Sequence, residues 1–221
     1  MKKKILRKIF FILILIISII VLIKLVNNLI NINSLHYSNI DIFNEEDRQK
    51  VKEKVNQQQE STILVVGNNE VSKSDIEIQE KRIQDLTDEQ KKLTANSGDP
   101  IVETVKQNVE EQEAIKSGIT IMQEQKDNYI QVAEDMYENS DKSISKKEYI
   151  EKWVKIQEKD EITDLYMAKT MKKIALNEFK CEDQEVNKAV EKFYNEKNTE
   201  NLMNAYNEYI LYLCKQYEIK Y

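Results

Sequence analysis

Thr62-Ile63-Leu64-Val65-Val66-Gly67-Asn68-Asn69-Glu70-Val71-Ser72-Lys73-Ser74-Asp75 is the stretch on which the fold turns. Thr62 to Val66 is apolar and rich in β-branched residues, which suits a strand. Gly67-Asn68 offers a tight turn, and Val71 resumes the apolar pattern. Ser72 then reads as a helix N-cap, with Asp75 at the third helical position.

Downstream of this hairpin the periodicity is helical. The helix opened by Ser72 places Ile76, Ile83, Leu86 and Leu93 on one side, and Asn96-Ser97-Gly98 breaks it. Asp99-Pro100 starts another in the preferred order, N-cap and then Pro at the first helical position. Ile101, Val105, Val109 and Ile115 form its apolar face, and Gly118 ends it. Residues 122–139 repeat the theme with Met122, Tyr129, Ala133, Met136 and Tyr137. Ser145-x-x-Glu148 is a capping box opening a shorter helix with Tyr149, Ile150, Trp153 and Val154. A further helix to about Phe179 carries Leu165, Ala168, Met171 and Ala175 in one stripe. A terminal helix, Asn201 to Gln216, presents Leu202, Tyr206, Tyr209 and Leu213, and Glu218 to Tyr221 suits a short closing strand.

Composition agrees with a mainly α fold. Gly (three) and Pro (one) are scarce, so there is little material for the tight turns a sheet-rich enzyme needs. The overall charge of -6 conceals an asymmetry: residues 1–24 hold six basic side chains and no acid, which leaves -12 on the rest. A body with that balance repels phosphate backbones, so no nucleic-acid partner is expected.

The basic residues precede an apolar run: Ile9, Phe10, Phe11, Ile12, Leu13, Ile14, Leu15, Ile16 and Ile17, then Ile19, Ile20, Val21, Leu22 and Ile23 around Ser18. Leu25 and Val26 extend it past Lys24, whose ammonium can snorkel to the headgroups. Residues 9–26 thus read as a transmembrane helix, with residues 1–8 as a cytoplasmic basic tail and the C-terminal part outside the cytoplasm. A cleaved signal peptide is the rival, but Lys24-Leu25-Val26-Asn27-Asn28 holds no small residues for cleavage, so an uncleaved anchor fits better. Residues 27–60 read as a tether and a polar stalk helix in which only Val51 and Val55 share an apolar face, and residues 61–221 as the domain.

The order of elements in that domain resembles the SurA/PrsA N-terminal chaperone family. Val65 to Asp75 is similar to the family's opening strand, turn and Ser/Thr helix cap, with Gly-Asn where the family has Asn-Gly. Ala114-Ile115-Lys116-Ser117-Gly118-Ile119 looks like its helix end, and Tyr209 to Leu213 followed by Tyr217-Glu218-Ile219 like its terminal helix and strand. Glu110 and Glu111 fall where the family usually has some Leu, and Met122 replaces a polar cap. The resemblance implies a compact multi-helix domain with a two- or three-stranded β patch, and binding of unfolded or exported polypeptides. It lacks the family's parvulin domain, because about twenty residues between Phe179 and Asn201 cannot hold one. Prolyl isomerase activity is therefore not expected.

Catalytic chemistry is thinly supplied. His36 is the sole imidazole and sits in the tether, so neither a zinc site nor a His-paired nucleophile can be assembled around it. Three scattered glycines make no phosphate loop. Carboxylate pairs such as Glu110/Glu111 read as solvated helix faces. No cofactor, no metal and no enzymatic activity are expected. Cys181 and Cys214 admit a disulfide in an oxidising compartment, but two free thiols are the simpler reading. Met122, Tyr129, Met136, Trp153, Met167, Met171 and Tyr206 are candidate peptide-binding residues, because Met and aromatic side chains adapt to varied apolar partners. The expected function is a membrane-anchored, extracytoplasmic protein that holds polypeptides without catalysis. The alternative is an anchored adaptor that binds one protein partner.

Overall fold

The Gly67-Asn68 turn joins β1 (Thr62–Val66) to β2 (Asn69–Ser72), an antiparallel pair in which Val66 faces Asn69 and Val65 faces Glu70. Of the two turn residues only Gly67 takes a positive φ, +58°, as the first central residue of a type II′ hairpin does. The chain's last strand, β3 (Ile219–Lys220), pairs antiparallel with the other edge of β1, giving the order β2-β1-β3. A bulge between Thr62 and Leu64 breaks the alternation, and Ile63 and Leu64 are both buried.

A computed structural model describes residues 42–57, 62–93 and 97–221. Around the sheet it places α1 (Glu45–Gln57), α2 (Lys73–Asp85), α3 (Asp88–Leu93), α4 (Pro100–Lys116), α5 (Gln123–Tyr137), α6 (Lys146–Ala175), α7 (Gln184–Glu196) and α8 (Thr199–Gln216). The protein is mainly helical, with one small antiparallel sheet among the described residues. The expected membrane segment, residues 9–26, and His36 lie outside the described residues. Among those described, no helix is long and apolar enough to cross a membrane.

Local signals in the sequence account for most helix ends. Ser72 Oγ accepts from the Asp75 amide while Asp75 Oδ2 accepts from the Ser72 amide at 2.8 Å, a reciprocal capping box opening α2. Asp99 Oδ1 accepts from the amides of Ile101 and Val102 at the start of α4, with Pro100 as its first residue. That helix closes in a Schellman motif, Ile119 N–H to Ala114 O and Gly118 N–H to Ile115 O, with Gly118 at φ +71°.

Several elements differ from the sequence reading. The helix after Ser72 does not run to Leu93: Leu86 ends α2, and Thr87 and Gln90 form a second reciprocal capping box that starts α3. The two helices expected between Ser145 and Phe179 are the single 30-residue α6. The apolar stripe lapses over Gln157 to Glu161 because that stretch carries polar contacts to α2 and α4, with no residue there that breaks a helix. Its buried face in the second half is Thr163, Tyr166, Thr170 and Ile174, and Leu165 of the expected stripe is 43% exposed. The segment after Phe179 holds α7, capped by Asp183 and buried through Val186 and Val190 against α8. In α8 the deeply buried residues are Ala205, Tyr206, Ile210, Leu211 and Cys214, while Leu202, Tyr209 and Leu213 are half-buried at its flank.

The stalk helix is the largest revision. Val51 of α1 is fully buried and Phe43 just before it nearly so, both in the same core cluster as Leu64, Val66, Val105 and Ile210. The core accordingly takes in Phe43 and Val51, ahead of residue 61. Val51 and half-buried Val55, with Phe43 just before the helix, suffice to dock a helix whose remaining surface is polar.

Candidate functional site

Two regions are built unlike the rest: a polar cleft between α2, α4, α6 and α8, and a helical arm formed by α5 against the first half of α6.

The cleft has a volume of about 190 Å³ and is lined by Gln79 and Arg82 of α2, Glu103, Lys106, Gln107 and Glu110 of α4, Thr163 and Met167 of α6, and Tyr206 and Asn207 of α8. Its rim is a chain of polar contacts that ties three helices together. Gln79 donates to Gln107 Oε1 at 2.7 Å, and Gln107 donates to Asp160 Oδ1 at 2.8 Å. Arg82 reaches the other oxygen of Asp160 at 2.6 Å. Deeper in, Lys106 lies 3.2 Å from both carboxylate oxygens of Glu103. At the floor the Tyr206 hydroxyl donates to Glu110 Oε1 at 2.7 Å.

Glu110 departs furthest from the sequence reading. A carboxylate pair such as Glu110/Glu111 on a solvated face was expected, yet Glu110 turns inward while Glu111 pairs with Lys159 at 3.5 Å. Loss of water around the Glu110 carboxyl pushes its pKa up to about 7, with smaller upward contributions from the charges of Glu103 and Asp164. The Tyr206 hydroxyl and the Lys106 ammonium act in the opposite direction without cancelling it. Burial likewise raises Tyr206 well above the phenol range. Alternating Glu residues on a mostly polar helix gave no sequence signal for this; it arises only because α8 supplies a tyrosine opposite.

Behind the cleft a second buried network fixes α4 to α6 and the hairpin. Lys159 donates to Asn108 Oδ1 at 2.9 Å, and Asn69 of β2 donates to both Asn108 and Glu111. Burial pulls the Lys159 pKa down, against the opposing charges of Glu111 and Asp75. Gln112 clasps the hairpin turn itself, accepting from the Asn68 amide and donating to Val66 O at 2.9 Å.

The arm is thinly packed. Ala133 is the buried residue of α5, and the helix leans on α6 through Tyr129 edge-on to Trp153 at 6.2 Å and Tyr137 tilted against Tyr149 at 5.5 Å. Ion pairs Lys126–Glu158 and Lys146–Glu134 flank that seam. Met122 (67% exposed), Ile130, Val132 and Met136 face solvent. The seven peptide-binding candidates are thereby divided. Met122, Tyr129, Met136 and Trp153 belong to the arm, and Met167 and Tyr206 to the cleft. Met171 is half-buried against the core.

Cys214 is buried in the core and Cys181 half-buried, and both are free thiols. Desolvation pushes the Cys214 thiol up to about 12. Among the described residues no group of three or more His, Cys, Asp or Glu side chains is arranged to hold a metal ion.

No family model, no curated protein and no solved structure matches the chain.

Proposed function

We propose that this chain is a membrane-anchored, extracytoplasmic holding protein that binds unfolded or exported polypeptides and performs no catalysis. The observation that carries the reading is the arm: Met122 at its N-cap and Ile130, Val132 and Met136 along it stand in solvent on a helix with one buried residue. Apolar side chains left exposed in this way favour contact with other apolar surfaces, and methionine accommodates partners of varied shape. The acidic body keeps such a protein soluble and disfavours association between copies. The apolar run at residues 9–26 would hold it at a membrane, and the resemblance of residues 60–221 to the SurA/PrsA N-terminal domain points the same way.

The test is aggregation of a chemically denatured client in the presence of the full chain in detergent micelles. Suppression by the unaltered chain, lost when Met122, Ile130, Val132 and Met136 are all changed to Ser, supports holding. No suppression at several-fold excess refutes it. Recovery of one stoichiometric partner from membranes, in place of many weak clients, would favour the adaptor reading. Protection of the domain from protease added outside intact cells would overturn the assigned side of the membrane.

A further inference from the structure

The second half of α6 carries an outer face that is basic on an acidic body. Its buried side is Thr163, Tyr166, Thr170 and Ile174. Leu165, Lys169 and Lys172, with Leu176 at the C-cap, follow one another at spacings of four, three and four, which puts them together on the opposite side. All four are exposed, Leu165 by 43% and Leu176 by 55%. Lys173 is exposed beside them, and exposed Lys180 follows just beyond the helix. Among the described residues none of these four lysines forms an ion pair, whereas Lys146, Lys147 and Lys152 at the start of the same helix all do. Residues 165–180 hold one acid, Glu178, and a net charge of +3. The carbonyl end of the helix favours cations, which accounts for Lys172 and Lys173 in its last turn. It does not account for Lys169 or for the two leucines.

Lysines around isolated leucines suit an anionic lipid surface. The ammonium groups meet headgroup phosphates, the lysine stems lie along the interface, and the leucines enter the acyl boundary. Two observations favour this occupant. The fifteen residues 27–41 separate the apolar run from Ile42 and span at most about 50 Å. A chain anchored by residues 9–26 therefore keeps this face within reach of a bilayer, at high effective concentration. A second copy offering the same face would instead set Lys169, Lys172 and Lys173 against their own counterparts, and like charges repel. We propose that the outer face of α6 from Leu165 to Leu176, together with Lys180, lies against anionic lipid headgroups of the membrane that holds the chain. The inference rests on the membrane anchor of the function proposed above and not on the arm, which the first half of α6 supports. Each lysine at an anionic surface raises partitioning about fivefold, and salt screens the effect.

Lysine acylation of the full chain in lipid nanodiscs, with an uncharged reagent and residue-by-residue mass spectrometry, tests it. Discs of phosphatidylcholine alone are compared with discs that also contain phosphatidylglycerol. Lys169, Lys172 and Lys173 acylate about tenfold more slowly in the anionic discs, while exposed Lys147 in the first turn of α6 keeps its rate. High salt returns the three lysines to their neutral-disc rates. Lys169→Gln combined with Lys172→Gln, at two exposed positions that leave the core untouched, abolishes the protection of Lys173. Equal rates in the two kinds of disc overturn the proposal. Protection in neutral discs that grows with the number of chains per disc assigns the face to a second copy, and protection that requires an added acidic polypeptide assigns it to a protein partner; both overturn it. A chain that enters neither kind of disc refutes the anchor, and the proposal falls with it. Normal incorporation with equal lysine rates refutes the proposal alone.

Discussion

Replacing Gly67 with Ala probes the point where the hairpin, α4 and the chain's end converge. A Cβ built on Gly67 falls 2.6 Å from Gln112 Oε1, 2.7 Å from Tyr217 Cδ1 and 3.0 Å from Tyr217 Cε1, closer than atoms of a folded protein approach. The positive φ of +58° costs an alanine roughly 1–2 kcal/mol by itself. Moving Gln112 aside also breaks its bonds to the Asn68 amide (3.1 Å) and Val66 O (2.9 Å), each contributing about 1 kcal/mol. Tyr217 is held by the Glu113 carboxylate at 2.7 Å and by Lys116 at 2.8 Å, so it does not swing away freely. The expected loss is therefore about 3–5 kcal/mol. Gly118→Ala is the control: its φ is +71°, but nothing lies within 4 Å of its added Cβ, so only the backbone cost remains. Urea unfolding of the full chain in mild detergent, followed by far-ultraviolet circular dichroism, measures both. A difference below about 0.5 kcal/mol between the two variants would refute the claim that the turn is clasped from both sides.

Three further outcomes are expected. Glu110 has its folded pKa raised above the ordinary 4.5 to about 7, so its contribution is fully present below about 4.5, falls as pH rises to 7, and stays low above that. Glu110→Gln removes this dependence and is more stable than the unaltered chain at pH 8 by about 1–3 kcal/mol, measured by urea unfolding across that window; an unchanged pH profile sinks the assignment. Val51→Asp places an unpaired charge at a fully buried position and should leave α1 undocked or the chain unfolded, whereas a loss under about 0.5 kcal/mol would mean α1 is the loose stalk its composition implies. In native protein a thiol reagent should modify Cys181, while the buried Cys214, whose thiol is pushed up to about 12, should react only after unfolding; equal native rates would contradict the burial of α8.

The features legible without coordinates were those written in neighbouring residues. The Thr62–Val66 strand, the Gly67-Asn68 turn, the Ser72 and Asp99 caps and the Gly118 helix end are all decided within four or five residues of chain, and each stands where its local chemistry puts it. The Thr87–Gln90 capping box and the Asp183 cap of α7 are equally local and equally readable; α3 is only six residues long, whereas α7 carries a regular apolar stripe, Val186, Val190 and Phe193, that periodicity does show. What tertiary structure alone decided was which polar residues go inside. Glu110 and Tyr206 are 96 residues apart, and Lys159 meets Asn108 across 51 residues. Nothing near Glu110 in sequence distinguishes it from Glu111. Burial of a charge depends on what another helix sets opposite it. The same holds for Val51: a valine on a polar helix is buried only because a core exists for it to enter.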